Sequence, residues 1–168
     1  MKALMVVAQD LFRDEEYQRT KEVLEKAKVE VVTASKNIGI AKGRFGLQTK
    51  ATLSLAEVRV PDFDAMIFIG GPGSLGFFED QNALKIAKDA FAQKKIVAAI
   101  CSASGILANA GVLNGKKATS FPREGELLTK KGASYTAQNL EVDGKIVTAD
   151  GPDSAFAFGD AIVKLLKT

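Results

Sequence analysis

Apolar and polar positions fall in blocks along this chain: short runs that are almost wholly apolar are separated by longer charged stretches with helical spacing. Ala65–Ile69 (AMIFI) and Ile96–Ile100 (IVAAI) are the purest of the apolar runs, the pattern of strands covered on both faces. Lys2–Val7 reads as a first strand and the β-branched Val29–Ala34 as a second, with a charged helix from about Asp14 to Ala27 between them. Helical spacing returns at Asn82–Gln93, Gly105–Ala110, Glu124–Lys131 and Ser154–Leu166, and Gly111 is placed to close the short second of these. Lys117–Ser120 and a hairpin at Val142-Asp143-Gly144-Lys145, turned by its Asp-Gly pair, complete the predicted sheet. The Gly- and Thr-rich stretch Asn37–Val58 suggests a hairpin appended to that sheet. Alternation of strand and helix through most of the chain predicts one α/β domain over residues 1–168 with a largely parallel sheet.

Composition narrows the chemistry. The 168 residues carry 23 basic and 20 acidic side chains of interleaved sign, an ordinary soluble surface. Basic pairs such as Lys94-Lys95 and Lys116-Lys117 are scattered and lack an aromatic or arginine array, so no nucleic-acid partner is expected. No apolar run reaches the length of a bilayer span, and the run at Ala3–Ala8 is too short for a signal peptide, which points to a cytoplasmic protein. One cysteine excludes an intrachain disulfide and a cysteine-based zinc cage. There is no histidine at all, so every Ser/His/Asp or Cys/His arrangement within one chain is excluded. No metal and no cofactor is expected.

The single cysteine, Cys101, directly follows a buried strand, and ligands of open α/β sheets bind beyond the carboxyl ends of strands. A sharp strand-to-helix turn of the nucleophile-elbow kind needs small residues two positions to either side, here Ala99 and Ala103. The backbone N–H of Ser102 then faces a developing oxyanion. The competing reading makes Cys101 a small buried hydrophobe and Ser102, with Ser104, a helix cap. The loop IGGPGSLG at residues 69–76 matches the Gly-x-Gly-x-x-Gly dinucleotide fingerprint, but its third glycine falls outside the following helix. Its glycines suit a second oxyanion donor at Gly73, or a plain tight turn.

Four stretches together resemble the ThiJ/PfpI family, which includes the parkinsonism-associated deglycase and intracellular archaeal peptidases. They are FRDEEY at Phe12–Tyr17, the DAMIFIGGPGSLG loop, the AAIC elbow continued by ILANAGVLNGKKATSFP, and VDGKIVTADGPDSAFAF near the end. The resemblance implies a flavodoxin-like three-layer sandwich with helices on both faces of a mostly parallel sheet and a cysteine at the nucleophile elbow. It also implies that Glu16 reaches Cys101 and, when protonated, donates a hydrogen bond to the thiolate. Without it, Glu15 and Glu16 read as first-turn helix carboxylates. The sequence departs from the family's pattern twice: Ser102 stands where peptidase-like members carry histidine, and Phe121 where deglycase-like members do.

The resulting expectation is a cysteine-dependent stress-response protein acting on small reactive carbonyls by glyoxalase or deglycase chemistry, with Cys101 and Glu16 catalytic and Gly73 and Ser102 binding the oxyanion. The alternatives are a non-catalytic redox-sensing or chaperone-like protein, an intracellular cysteine peptidase or amidase, and a family member without activity. The family likeness further implies a homodimer or larger homo-oligomer and a small-molecule substrate.

Overall fold

The computed structural model describes all 168 residues. Seven strands form the main sheet: β1 (Lys2–Val6), β3 (Glu30–Ser35), β6 (Leu53–Ser54), β7 (Ala65–Phe68), β8 (Ile96–Ile100), β11 (Leu140–Asp143) and β12 (Ile146–Ala149). Their order is β11-β12-β8-β7-β1-β3-β6, and every neighbouring pair is parallel except β11 with β12. Helices α1 (Asp14–Lys26) and α5 (Ala155–Leu166) pack together against one face, and α2 (Gln81–Ala92), α3 (Ser104–Asn109) and α4 (Gly125–Lys130) form the layer on the other. This is the flavodoxin-like three-layer α/β sandwich that the sequence implies.

The apolar runs lie where double coverage requires them. All four residues of β7 and all five of β8 are buried, because a helix layer lies over each face of these strands. A core cluster of 48 buried residues runs through both layers, and Phe12, Phe68 and Phe158 are the largest of its fully buried side chains. Ala98 and Ala99 keep the surface of β8 low, so α5 on one side and α2 with α3 on the other approach it closely.

Two expectations about the sheet need correction. The hairpin inside 37–58, made of β4 (Gly39–Gly43) and β5 (Gln48–Ala51), is not an extension of the main sheet. It pairs through β4 with β2 (Asp10–Phe12) in a separate three-stranded sheet, and only the two residues of β6 beyond it return to the main sheet edge. The reason is Asp14: its buried carboxylate accepts the backbone N–H groups of Phe45 and Leu47 at 2.9 and 2.8 Å, tying the hairpin tip to the start of α1. Likewise Lys117–Ser120 does not complete the main sheet. β9 (Lys117–Ala118) pairs with β10 (Ser134–Tyr135) in a two-stranded ribbon, and Thr119 only touches the sheet by donating its N–H to Thr148 Oγ1 at 2.9 Å. No helix is long and apolar enough to cross a membrane.

Candidate active site

Three chain segments that are distant in sequence meet at the carboxyl ends of β7 and β8. The first is the start of α1, the second the Gly70-Gly71 corner after β7, and the third Cys101 after β8. Two hydrogen bonds lace the first two together. Arg13 donates its backbone N–H to the Gly70 carbonyl at 2.8 Å, and Gly70 donates its own to Glu16 Oε2 at 3.0 Å. A Cβ on Gly70 would lie 2.7 Å from Glu16 Oε2, 2.7 Å from Cys101 Cβ and 2.6 Å from the Ile100 carbonyl. Gly70 is therefore glycine for want of space, and its missing side chain is what lets the Glu16 carboxyl and Cys101 share one pocket. Gly71 meets a second demand, a φ of 103° against the backbone of Leu11–Arg13.

Cys101 has the backbone of an elbow. Its φ of 61° lies in the left-handed region, where a side chain is strained, and the chain then tightens into a single 3-10 turn, Cys101–Ala103, that leads into α3. Such strain in a non-glycine residue is characteristic of functional turns. Ala99 and Ala103 are fully buried, as the tight reversal demands. Neither Ser102 nor Ser104 caps the helix with its side chain, so the capping alternative is not what places them.

The pocket pushes two adjacent glutamates in opposite directions. Glu15 sits at the surface with Arg13 at 2.7 Å, and the guanidinium holds its carboxyl below the usual range. Glu16 is wholly inside, 0% exposed, and burial pushes it up to about 7 against the opposing pull of Cys101 and the Gly70 N–H. Its Oε1 has no hydrogen-bond partner. Burial, then the charge on Glu16, pushes the Cys101 thiol up to about 12, while Ser102 draws it back. Glu16 and Cys101 titrate as a pair whose first proton leaves near 7 and whose second leaves near 12. Between those limits one proton is held by a carboxyl oxygen or by the sulfur, and a carboxyl that keeps it leaves a thiolate. Carboxyls with environments that separate their ionisation in this way are characteristic of acid–base sites.

Of the residues expected from the sequence, Cys101, Ser102 and Glu16 stand together. Cys101 is 8% exposed, and Ser102 Oγ lies 4.0 Å from its sulfur. Gly73 lies in the 3-10 turn Pro72–Phe77, which packs against the Cys101–Ala103 turn. The close approach that makes residue 73 glycine is to the Asp10 carbonyl and the Ala8 side chain. The dinucleotide reading of this loop fails on geometry, because α2 starts only at Gln81 and is capped by Asp80, whose Oδ1 accepts the Ala83 N–H at 2.9 Å.

Sequence reasoning passed over Gly70, Arg13 and Arg123. Arg123 Nη2 donates to Ser102 Oγ at 3.4 Å, and Phe121 donates its N–H to the Cys101 carbonyl at 3.2 Å. Of these, only Gly70 carried a legible signal, as the first glycine after a fully apolar strand. No three His, Cys, Asp or Glu side chains converge in a way that could hold a metal ion.

The chain and its fold have counterparts in known proteins. Residues 1–165 match the DJ-1/PfpI family. The chain is 36% identical over 171 residues to an uncharacterized protein of Methanocaldococcus jannaschii, covering 99% of this chain and 82% of that one. It is 33% identical over 167 residues to a deglycase of Pyrococcus horikoshii, covering 99% and 100% of the two chains. Among solved structures, a ThiJ/PfpI domain protein from Brachyspira murdochii superposes with a TM-score of 0.97 at 34% identity, covering 99% of this chain and 96% of that one. With this match over nearly its full length and the flavodoxin-like sheet that carries Cys101, the chain belongs to the DJ-1/PfpI family.

Proposed function

We propose that this protein is a cysteine-dependent enzyme acting on small reactive carbonyls such as methylglyoxal, with Cys101 as nucleophile and Glu16 as proton carrier. The observation that carries the reading is the buried Glu16 carboxyl, set against Cys101 by the missing side chain of Gly70. The deglycase name carried by the Pyrococcus horikoshii relative agrees with it.

The chemistry balances without a cofactor. The Cys101 sulfur forms a bond to the aldehyde carbon, the carbonyl electron pair moves to oxygen, and the Glu16 carboxyl gives that oxygen a proton. The backbone N–H of Ser102, with Gly73 beside it, stabilises the oxyanion as it forms. The Glu16 carboxylate so formed takes the proton of the former aldehyde carbon and delivers it to the neighbouring carbon, while the new hydroxyl passes its proton to the ketone oxygen. The former ketone becomes an alcohol and the former aldehyde carbon the carbonyl of a thioester. Water then cleaves the thioester to lactate and returns the thiol. The sum is one methylglyoxal plus one water to one lactate and one proton.

Peptide hydrolysis fits the site less well, because expulsion of an amine benefits most from an imidazole, and Ser102 and Phe121 occupy the two positions where one is expected. The test is lactate formation from methylglyoxal by the parent, Cys101→Ala and Glu16→Gln. Turnover by the parent that is abolished in Cys101→Ala supports the reading, and equal turnover in all three rejects it.

A further inference from the structure

Arg123 reaches the elbow through Ser102, the residue that follows Cys101. Its Nε donates to Glu124 Oε1 at 2.9 Å and its Nη2 to Ser102 Oγ at 3.4 Å. The Glu124 side chain is 4% exposed and that of Arg123 57%, so the buried carboxylate anchors the guanidinium. The guanidinium also lies 5.7 Å from the centre of the Phe121 ring, and Phe121 is tethered to the elbow through the Cys101 carbonyl. A loop fixed to the cysteine's own backbone thus presents an arginine to the neighbouring serine.

The direction of the hydrogen bonds follows from which groups can accept. A guanidinium has donors only, so Ser102 Oγ accepts from Arg123 and its single hydroxyl hydrogen is left to point elsewhere. The other hydrogen-bonding neighbour of Oγ is Cys101 Sγ at 4.0 Å. A thiolate can only accept. We infer that Glu124, Arg123 and Ser102 form a positioning relay: Glu124 anchors Arg123, Arg123 fixes the Ser102 hydroxyl as a donor, and Ser102 directs that hydrogen to the Cys101 sulfur. The relay rests on the reading of Cys101 as a nucleophile and adds to it a second hydrogen bond to sulfur, separate from Glu16. It puts serine, backed by arginine, beside the thiol at a position where peptidase-like members of the family carry histidine and this chain has none. The charged groups acting directly on the sulfur are Glu16 and Arg13 from the start of α1, and Arg123 with Glu124 reaches it only through Ser102.

The test is the rate of Cys101 alkylation by iodoacetamide against pH in the parent, Ser102→Ala, Arg123→Gln and the double variant. The reagent is uncharged, so the guanidinium does not steer it. Ser102→Ala keeps the backbone N–H but loses the hydroxyl, and a thiolate midpoint raised by about one pH unit slows its reaction about tenfold below that midpoint. Arg123→Gln, at a side chain that is 57% exposed, slows the reaction by less. The double variant reacts no more slowly than Ser102→Ala, because Arg123 acts through the serine. Slowing that adds in the double variant means that Arg123 acts by its charge alone and overturns the relay. A parent that reacts while Ser102→Ala matches it at every pH overturns the relay but leaves the nucleophile reading standing. A parent thiol silent to the reagent at every pH overturns both.

Discussion

The Gly70 N–H donates to Glu16 Oε2 at 3.0 Å across 54 residues of sequence, and the absent Cβ of the same glycine opens the space in which that carboxyl meets Cys101. One residue therefore supplies both a hydrogen bond that draws Glu16 inward and the room that keeps it there.

Gly70→Ala is accordingly expected to damage the site more than the fold. The added methyl is too close to the Ile100 carbonyl, the Cys101 side chain and Glu16 at once, and two of those three belong to the pair. Overpacking of this kind costs about 1–3 kcal/mol, which a urea midpoint measures. Lactate formation should fall far more steeply than stability, because the methyl forces Glu16 away from the sulfur. An alanine variant with parental turnover would show that the close packing is incidental.

Glu16 also predicts a pH dependence of stability with an unusual sign. Its folded value, about 7, is raised above the ordinary 4.5, so between those values the native state holds a proton that the unfolded chain has released. Stability from this group is complete below about 4.5, falls as pH rises through that window, and is lowest above 7. The difference amounts to about 3 kcal/mol. Glu16→Gln cannot titrate, so the urea stability of the parent relative to the variant should decline from pH 4.5 to pH 7 and then level off. A difference that is flat across this range, or rises, would place the carboxyl outside the buried environment described above.

Asp14 offers a test of the small sheet. Asp14→Ala leaves the N–H groups of Phe45 and Leu47 without their charged acceptor, a loss of about 2 kcal/mol. Hydrogen exchange should accelerate at those two amides while β1, β7 and β8 stay protected. Unchanged exchange at Phe45 and Leu47 would mean that pairing within β4 and β5 is enough to hold the hairpin.

These residues also show where sequence reasoning succeeded. β7 and β8 were legible because strands covered on both faces must be apolar throughout, and Cys101 stood out because it broke such a run at its carboxyl end. Glu16 was legible only through family likeness, since two carboxylates in the first turn of a helix are equally well explained by the helix dipole. Burial separates it from Glu15, and burial depends on a loop 54 residues away. The hairpin's sheet was misassigned for a similar reason. Its partner β2 is three residues long, too short to show periodicity, and the pairing is decided by the Asp14 carboxylate rather than by the hairpin's own residues. Arg123 was invisible because a half-exposed arginine after Phe-Pro looks like surface charge until Glu124 is seen buried beneath it.

The central claim is that Glu16 and Cys101 share a proton near neutral pH. The most direct test is the rate at which Cys101 is alkylated as a function of pH, in the parent and in Glu16→Gln. In the parent the rate should rise through an inflection near 7, as the pair loses its first proton, and then hold a plateau. In Glu16→Gln that inflection should vanish, leaving a single ionisation of a thiol that burial, without the charge of Glu16, still holds above its ordinary range. Superimposable profiles in the two proteins would contradict the shared proton and, with it, the role of Glu16 in the reaction.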